Sequence, residues 1–152
     1  MHSRQPNLLN GRVTSMLAGL MLFFIGSGIY ASLRSTDLYM FSLWPSKTLP
    51  SWLYSWREML AGLSVPEWFR YSLPDGLWLL AYMLLIDSIW GEERGLLRNI
   101  FLWSMPVIAI ASEGLQAKHI IFGSGDWADV LFYILATIAF ITIKQINHEN
   151  RY

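Results

Sequence analysis

"MLAGLMLFFIGSGIYASL", residues Met16 to Leu33, is a run without a single charge. At about 1.5 Å of rise per residue, a helix of this length crosses most of a hydrocarbon core about 30 Å thick. Its glycines and serines offer positions where another helix can approach closely. Arg4 and Arg12 precede the run and Ala31-Ser32 follows as a small-residue pair, so a cleavable signal peptide competes with a span. With the chain given from Met1 onward, the run reads as a retained first span.

The rest of the chain supports that reading. It is 54% hydrophobic and 15% aromatic but only 14% charged, against roughly 25% charged residues in a soluble domain. Its 152 residues hold about four spans of roughly 20 residues with their connections, and no second folded unit. The expected fold is therefore an all-α integral membrane domain covering 1–152. Its spans fall at residues 14–34, 73–91, 97–117 and 126–145. A net charge of zero leaves no footprint for nucleic acid. The absence of cysteine removes disulfides, thiol nucleophiles and zinc-thiolate sites together. No internal repeat or low-complexity tract interrupts the chain.

Between the first two spans lies "WPSKTLPSWLYSWREMLAGLSVPEWFRYSLP", Trp44 to Pro74. Within it Trp52, Leu53, Trp56, Met59, Leu60 and Leu63 recur at helical spacing. An amphipathic helix over residues 51–64 is expected, with Ser51 as N-cap, lying in the membrane interface. Trp52, Trp56 and Trp68 would anchor it at headgroup depth. Pro66 starts a second short helical turn.

Lysine and arginine density sets the orientation. Arg4, Arg12, Arg94, Arg98, Lys144 and Arg151 fall on one side of the alternating spans; Arg34, Lys47, Arg57, Arg70 and Lys118 fall on the longer segments of the other. The bias puts both termini in the cytoplasm, in a multi-pass protein of a bacterial inner membrane.

That topology gathers Asp75, Glu113, Gln116, Asp126 and Asp129 at the outer face. Glu113 and Gln116 share a helix face, as do Asp126 and Asp129. Gly123 and Gly125 allow a tight reversal between them. Asp126 also fits the N-cap of the last span. A carboxylate inside a span costs several kcal/mol unless paired or hydrated, which makes Glu113 and Asp129, together with Gln116, Asp126 and Asp75 at the same face, candidates for binding a cation or a lipid headgroup. The two are expected to approach each other across the hairpin. At the opposite end, Asp87 is expected to pair with Arg94 or Arg98. The acid-free stretch Leu77 to Ile86 breaks any proton relay from Asp75. Ser104 and Ser112 have no histidine on a shared helix face, so no nucleophilic pair is expected.

The spacing Glu113-x-x-Gln116, a short loop, then Asp126-x-x-Asp129 opening an apolar span resembles the signature of the VanZ-like family of small bacterial membrane proteins. The resemblance runs over roughly Pro74 to Ile143. Gly123 stands where that family tends to carry arginine, Tyr133 where it tends to carry asparagine, and Trp78 where it usually carries histidine. The acid and amide pairs are thus kept without the family's cationic partner, as in a divergent member. The resemblance implies an envelope protein associated with glycopeptide tolerance and hands over no catalytic mechanism. The first reading is therefore a non-enzymatic four-span protein whose outer acidic cluster binds a cation or lipid headgroup, or keeps the second, third and fourth spans in register. Two alternatives belong to other classes. One is an accessory subunit of a larger membrane complex, its polar tails Met1 to Arg12 and Gln145 to Tyr152 touching neighbouring subunits. The other is an enzyme acting on a phosphorylated lipid, in which His119, Glu113, Asp126 and Asp129 hold a divalent cation.

Overall fold

The computed structural model describes residues 5–36, 41, 49–91, 93 and 95–149. Within them the chain is helical: α1 (Gln5–Leu33), α2 (Ser51–Leu60), α3 (Glu67–Arg70), α4 (Ser72–Trp90), α5 (Leu96–Ala117) and α6 (Trp127–Glu149). Gly11–Leu33, Ser72–Trp90, Leu96–Ala117 and Trp127–Asn147 are each long and apolar enough to cross a membrane. No strand occurs among the described residues. These limits lie within a few residues of those expected from hydropathy alone.

Helix α4 is the centre of the bundle. It packs against α1 on one side and against α5 and α6 on the other. Half of its apolar window is buried (50%), against 11%, 17% and 11% for α1, α5 and α6. The buried core is correspondingly small: Leu79, Met83 and Leu84 of α4 meet Leu102 of α5 and Ala136 and Phe140 of α6. The outward faces of the other three spans carry Leu17, Phe24, Leu97, Val107, Leu131 and Ile138, all exposed. In water such faces would collapse; against lipid tails they need no further cover.

Small residues bring the helices together. A Cβ on Gly19 would stand 3.1 Å from the Ala81 carbonyl oxygen, and one on Gly26 would stand 3.0 Å from the Trp78 ring. Glycine there lets α1 approach α4 closely. Across α4, a Cβ on Gly76 would come within 3.0 Å of Phe132 Cβ on α6.

The two ends of the bundle are tied by different chemistry. At one end, the buried Asp87 carboxylate accepts from Arg98 Nη2 at 2.7 Å and Lys144 Nζ at 2.8 Å, which joins α4, α5 and α6. Arg12 of α1 donates to the carbonyls of Ser88 and Ile89 at 3.0 and 2.9 Å. It thereby caps orphan carbonyls at the end of α4 and places a cation at the negative end of that helix dipole. Arg98 was an expected partner of Asp87. Arg94, the other, lies outside the described residues, and Lys144 is an addition.

At the opposite end α2 and α3 pack on the α1 and α4 termini. Arg57 donates to the carbonyls of Ala31 and Arg34, and Trp56 Nε1 donates to Ser32 Oγ at 2.9 Å. The N-cap of α2 is Pro50, not Ser51, and the helix stops at Leu60 rather than reaching residue 64. Proline lacks an N–H and fixes φ near −65°, so the chain turns into the helix at Pro50. Gly62, a poor helix former, follows the end. The short helix after Pro66 forms as expected, over Glu67–Arg70.

Candidate functional site

The end of the bundle away from Asp87 collects the acids. Three segments deliver them: the first turn of α4 carries Asp75, the last two turns of α5 carry Glu113 and Gln116, and the start of α6 carries Asp126 and Asp129.

The turn from α5 into α6 is built by backbone capping. His119 adopts φ 58°, the left-handed region that costs a non-glycine residue about 1–2 kcal/mol. Its N–H reaches the Gln116 carbonyl at 2.9 Å, and the Ile120 N–H reaches the Leu115 carbonyl at 2.9 Å. That pair of bonds is a Schellman closure, with His119 in the position usually held by glycine. His119 is exposed and shapes the turn. Gly123 (φ 129°) lies against the Gln116 side chain, where a Cβ would meet the amide carbon at 2.6 Å. Gly125 is tighter still: a Cβ would meet the Ala117 nitrogen at 2.5 Å and the Glu113 carbonyl oxygen at 2.6 Å. Gln116 therefore belongs to the turn.

Two of the acids cap this hairpin. Asp126 stands immediately before α6, and its Oδ1 accepts the Ala128 N–H at 2.8 Å, the N-cap bond expected of it. Glu113, 7% exposed, accepts the Asp126 N–H through Oε2 at 3.0 Å. Charge-assisted bonds of this type are among the stronger ones in a folded chain.

The other two acids are less completely satisfied. Among the described residues Asp75 has one cation beside it, Arg34 Nη2, at 3.8 Å from Oδ2. Arg34 also donates to the Tyr71 carbonyl at 3.4 Å and lies over the Tyr30 and Tyr71 rings at 5.3 and 4.7 Å. Asp129 Oδ1 is buried with no hydrogen-bond partner among the described residues. The charges of Asp129, Arg34 and Glu113 all act on Asp75, and Asp129 acts on Glu113. The expected approach of Glu113 to Asp129 is thus an electrostatic one, while the hydrogen bond of Glu113 goes to the backbone. Tyr133, one turn along α6, is in electrostatic reach of Asp75, Glu113 and Asp129.

Arg34 and Tyr133 are the members of this cluster that spacing did not single out. Arg34 supplies a cation from the end of α1. Tyr133 packs against the apolar core within electrostatic reach of the acids.

Among the described residues no three His, Asp or Glu side chains converge to hold a metal ion. The set of His119, Glu113, Asp126 and Asp129 does not form: His119 is turned out at the hairpin, and Glu113 and Asp126 are engaged with backbone N–H groups. Ser104 and Ser112 donate to the carbonyls of Phe101 and Ala109 in their own helix, so neither hydroxyl is held by a base. Trp52, Trp56 and Trp68 all lie at the acid-bearing end and are 67%, 48% and 48% exposed. Trp68 stacks on Phe132 with ring centroids 5.8 Å apart.

Neither protein-family models, curated proteins nor solved structures match this chain.

Proposed function

We propose that the chain is a VanZ-like, non-enzymatic envelope protein of a bacterial inner membrane. Both termini are cytoplasmic, and its outer acidic cluster receives a cationic group. The observation that carries this reading is the buried Asp129 Oδ1, which has no hydrogen-bond partner among the described residues, in a cluster where, among those residues, Arg34 is the cation beside three interacting carboxylates. An ammonium fits such a cluster better than a metal. It needs two or three acceptors within hydrogen-bond reach and no closed shell of ligands, and no three-residue metal cage is formed among the described residues. At the end of a membrane bundle the abundant ammonium is that of a lipid headgroup. Trp52, Trp56 and Trp68 at the same end suit headgroup depth.

The test compares the melting of purified protein in micelles doped with phosphatidylethanolamine or with phosphatidylcholine of the same chains. The first ammonium donates hydrogen bonds and the second cannot. An interaction worth about 1 kcal/mol raises the melting temperature in phosphatidylethanolamine by about 2–4 °C. Asp129→Asn abolishes the difference. Equal melting in both lipids, or a difference that survives both Asp129→Asn and Asp75→Asn, overturns the reading.

A subunit role is favoured by one separate observation. The hairpin tip carries Ile120 and Phe122, 64% and 104% exposed, beyond the end of the span, where a neighbouring subunit would cover them.

A further inference from the structure

Beside the acidic cluster, α1 and α2 splay apart around an open apolar groove of about 860 Å³. Its walls include Ile25, Gly28 and Ile29 of α1 and Trp52, Trp56 and Leu60 of α2. That volume falls in the range of roughly 300–1,000 Å³ typical of ligand pockets. The groove continues into a second, more polar hollow of about 310 Å³, the two sharing Ser32, Leu33, Leu60 and Leu63.

The hollow is cationic. Arg57 and Arg70 line it together with one carboxylate, that of Glu58, which is exposed. Arg57 is committed to the carbonyls of Ala31 and Arg34. Arg70 is less fully committed: its guanidinium lies 6.0 Å from the Tyr71 ring centroid, and among the described residues its Nε is buried without a hydrogen-bond partner and it makes no ion pair. A desolvated donor without an acceptor is costly, and a phosphate oxygen is the acceptor that matches a guanidinium fork.

We infer that this groove and hollow together bind one anionic phospholipid, its acyl chain lying between α1 and α2 and its phosphate meeting Arg70. The two halves match the two halves of that molecule. A free anion would leave the groove empty, and a neutral lipid would leave Arg70 unpaired. The site is separate from the acidic cluster and uses none of its carboxylates.

Native mass spectrometry of the detergent-purified chain with phosphatidylglycerol or with diacylglycerol of the same chains decides it. Neither probe carries an ammonium, so the outcome does not depend on what the acidic cluster holds. Wild-type protein retains phosphatidylglycerol at least about tenfold more tightly than diacylglycerol, as expected of a hydrogen bond to a charged group. Arg70→Gln brings phosphatidylglycerol down to the diacylglycerol level. Gly28→Phe weakens both lipids, because Gly28 lines the groove and a Cβ there meets nothing within 4 Å, so the added side chain enters open space. Leu63→Gln, at an exposed groove position, acts in the same direction and guards against misfolding of the first variant. Equal retention of the two lipids by the wild type overturns the inference, as does retention of phosphatidylglycerol that none of the three substitutions changes.

Discussion

Glu113 Oε2 accepts the backbone N–H of Asp126 at 3.0 Å, so a carboxylate near the end of one span fastens the N-cap residue of the next. This relationship separates two roles that a cluster of acids can combine. Glu113 and Asp126 hold the hairpin, and Asp75 and Asp129 are left with unfilled capacity. Glu113→Gln keeps an acceptor oxygen and is expected to cost less stability than Glu113→Ala. The alanine variant removes the acceptor of a part-buried bond at a cost of about 1 kcal/mol. Denaturation in mixed micelles ranks the two; equal losses would mean that the bond to Asp126 contributes nothing.

Gly125 and Gly114 provide an internal comparison. A Cβ on Gly125 collides with the backbone of α5, whereas one on Gly114 meets nothing within 4 Å. Gly125→Ala is expected to cost about 1–3 kcal/mol through forced backbone movement. Gly114→Ala, within a helix and unobstructed, is expected to be neutral or to stabilise by up to about 1 kcal/mol. Thermal melts of the two variants side by side check the tightness of the turn.

Asp87 is the charged hub of the opposite end. Removing it leaves Arg98, 16% exposed, and Lys144, 38% exposed, without their common anion. Asp87→Ala is expected to destabilise by about 1.5–3 kcal/mol, because the part-buried Arg98 loses its charged acceptor while Lys144 is hydrated. Lys144→Ala, which removes the more hydrated partner and leaves Asp87 with Arg98, is expected to cost no more than about 1 kcal/mol. Unfolding titrations that put the two variants level would contradict the hub.

Much of this architecture was legible in the chain because its determinants are local. The uncharged run Met16 to Leu33 gave the first span, and the N-cap chemistry of Asp126 marked the start of the last. What stayed hidden is what joins distant segments. Lys144 meets Asp87 from 57 residues away and Arg12 reaches Ser88 from 76. Arg34 stands at Asp75 only because α1 and α4 pack side by side. Spacing finds residues on one helix face; it carries no information on which helices pack. Spacing also cannot tell a carboxylate that caps a helix from one that waits for a partner. Glu113 and Asp129 look alike in sequence and differ in what surrounds them. At α2 the hydrophobic stripe ran past the true end of the helix, because Leu63 continues the apolar pattern beyond Gly62.

The orientation is open to direct labelling, since the chain has no cysteine of its own. With the Lys and Arg bias acting as expected, Ser124→Cys reacts with an impermeant maleimide on intact cells. Gly95→Cys, at the Asp87 end, reacts only after permeabilisation. The reverse pattern would turn the acidic cluster toward the cytoplasm.

The claim that Asp129 awaits an ammonium is tested most directly by solid-state NMR on protein reconstituted with 15N-ethanolamine phospholipid and 13C-carboxyl aspartate. An ammonium that pairs with the cluster must lie within about 4–6 Å of a carboxyl carbon. The expected result is dipolar coupling between the lipid nitrogen and an aspartate carboxyl carbon, lost in Asp129→Asn. Folded wild-type protein with no such coupling, or a coupling that Asp129→Asn leaves intact, would contradict the account.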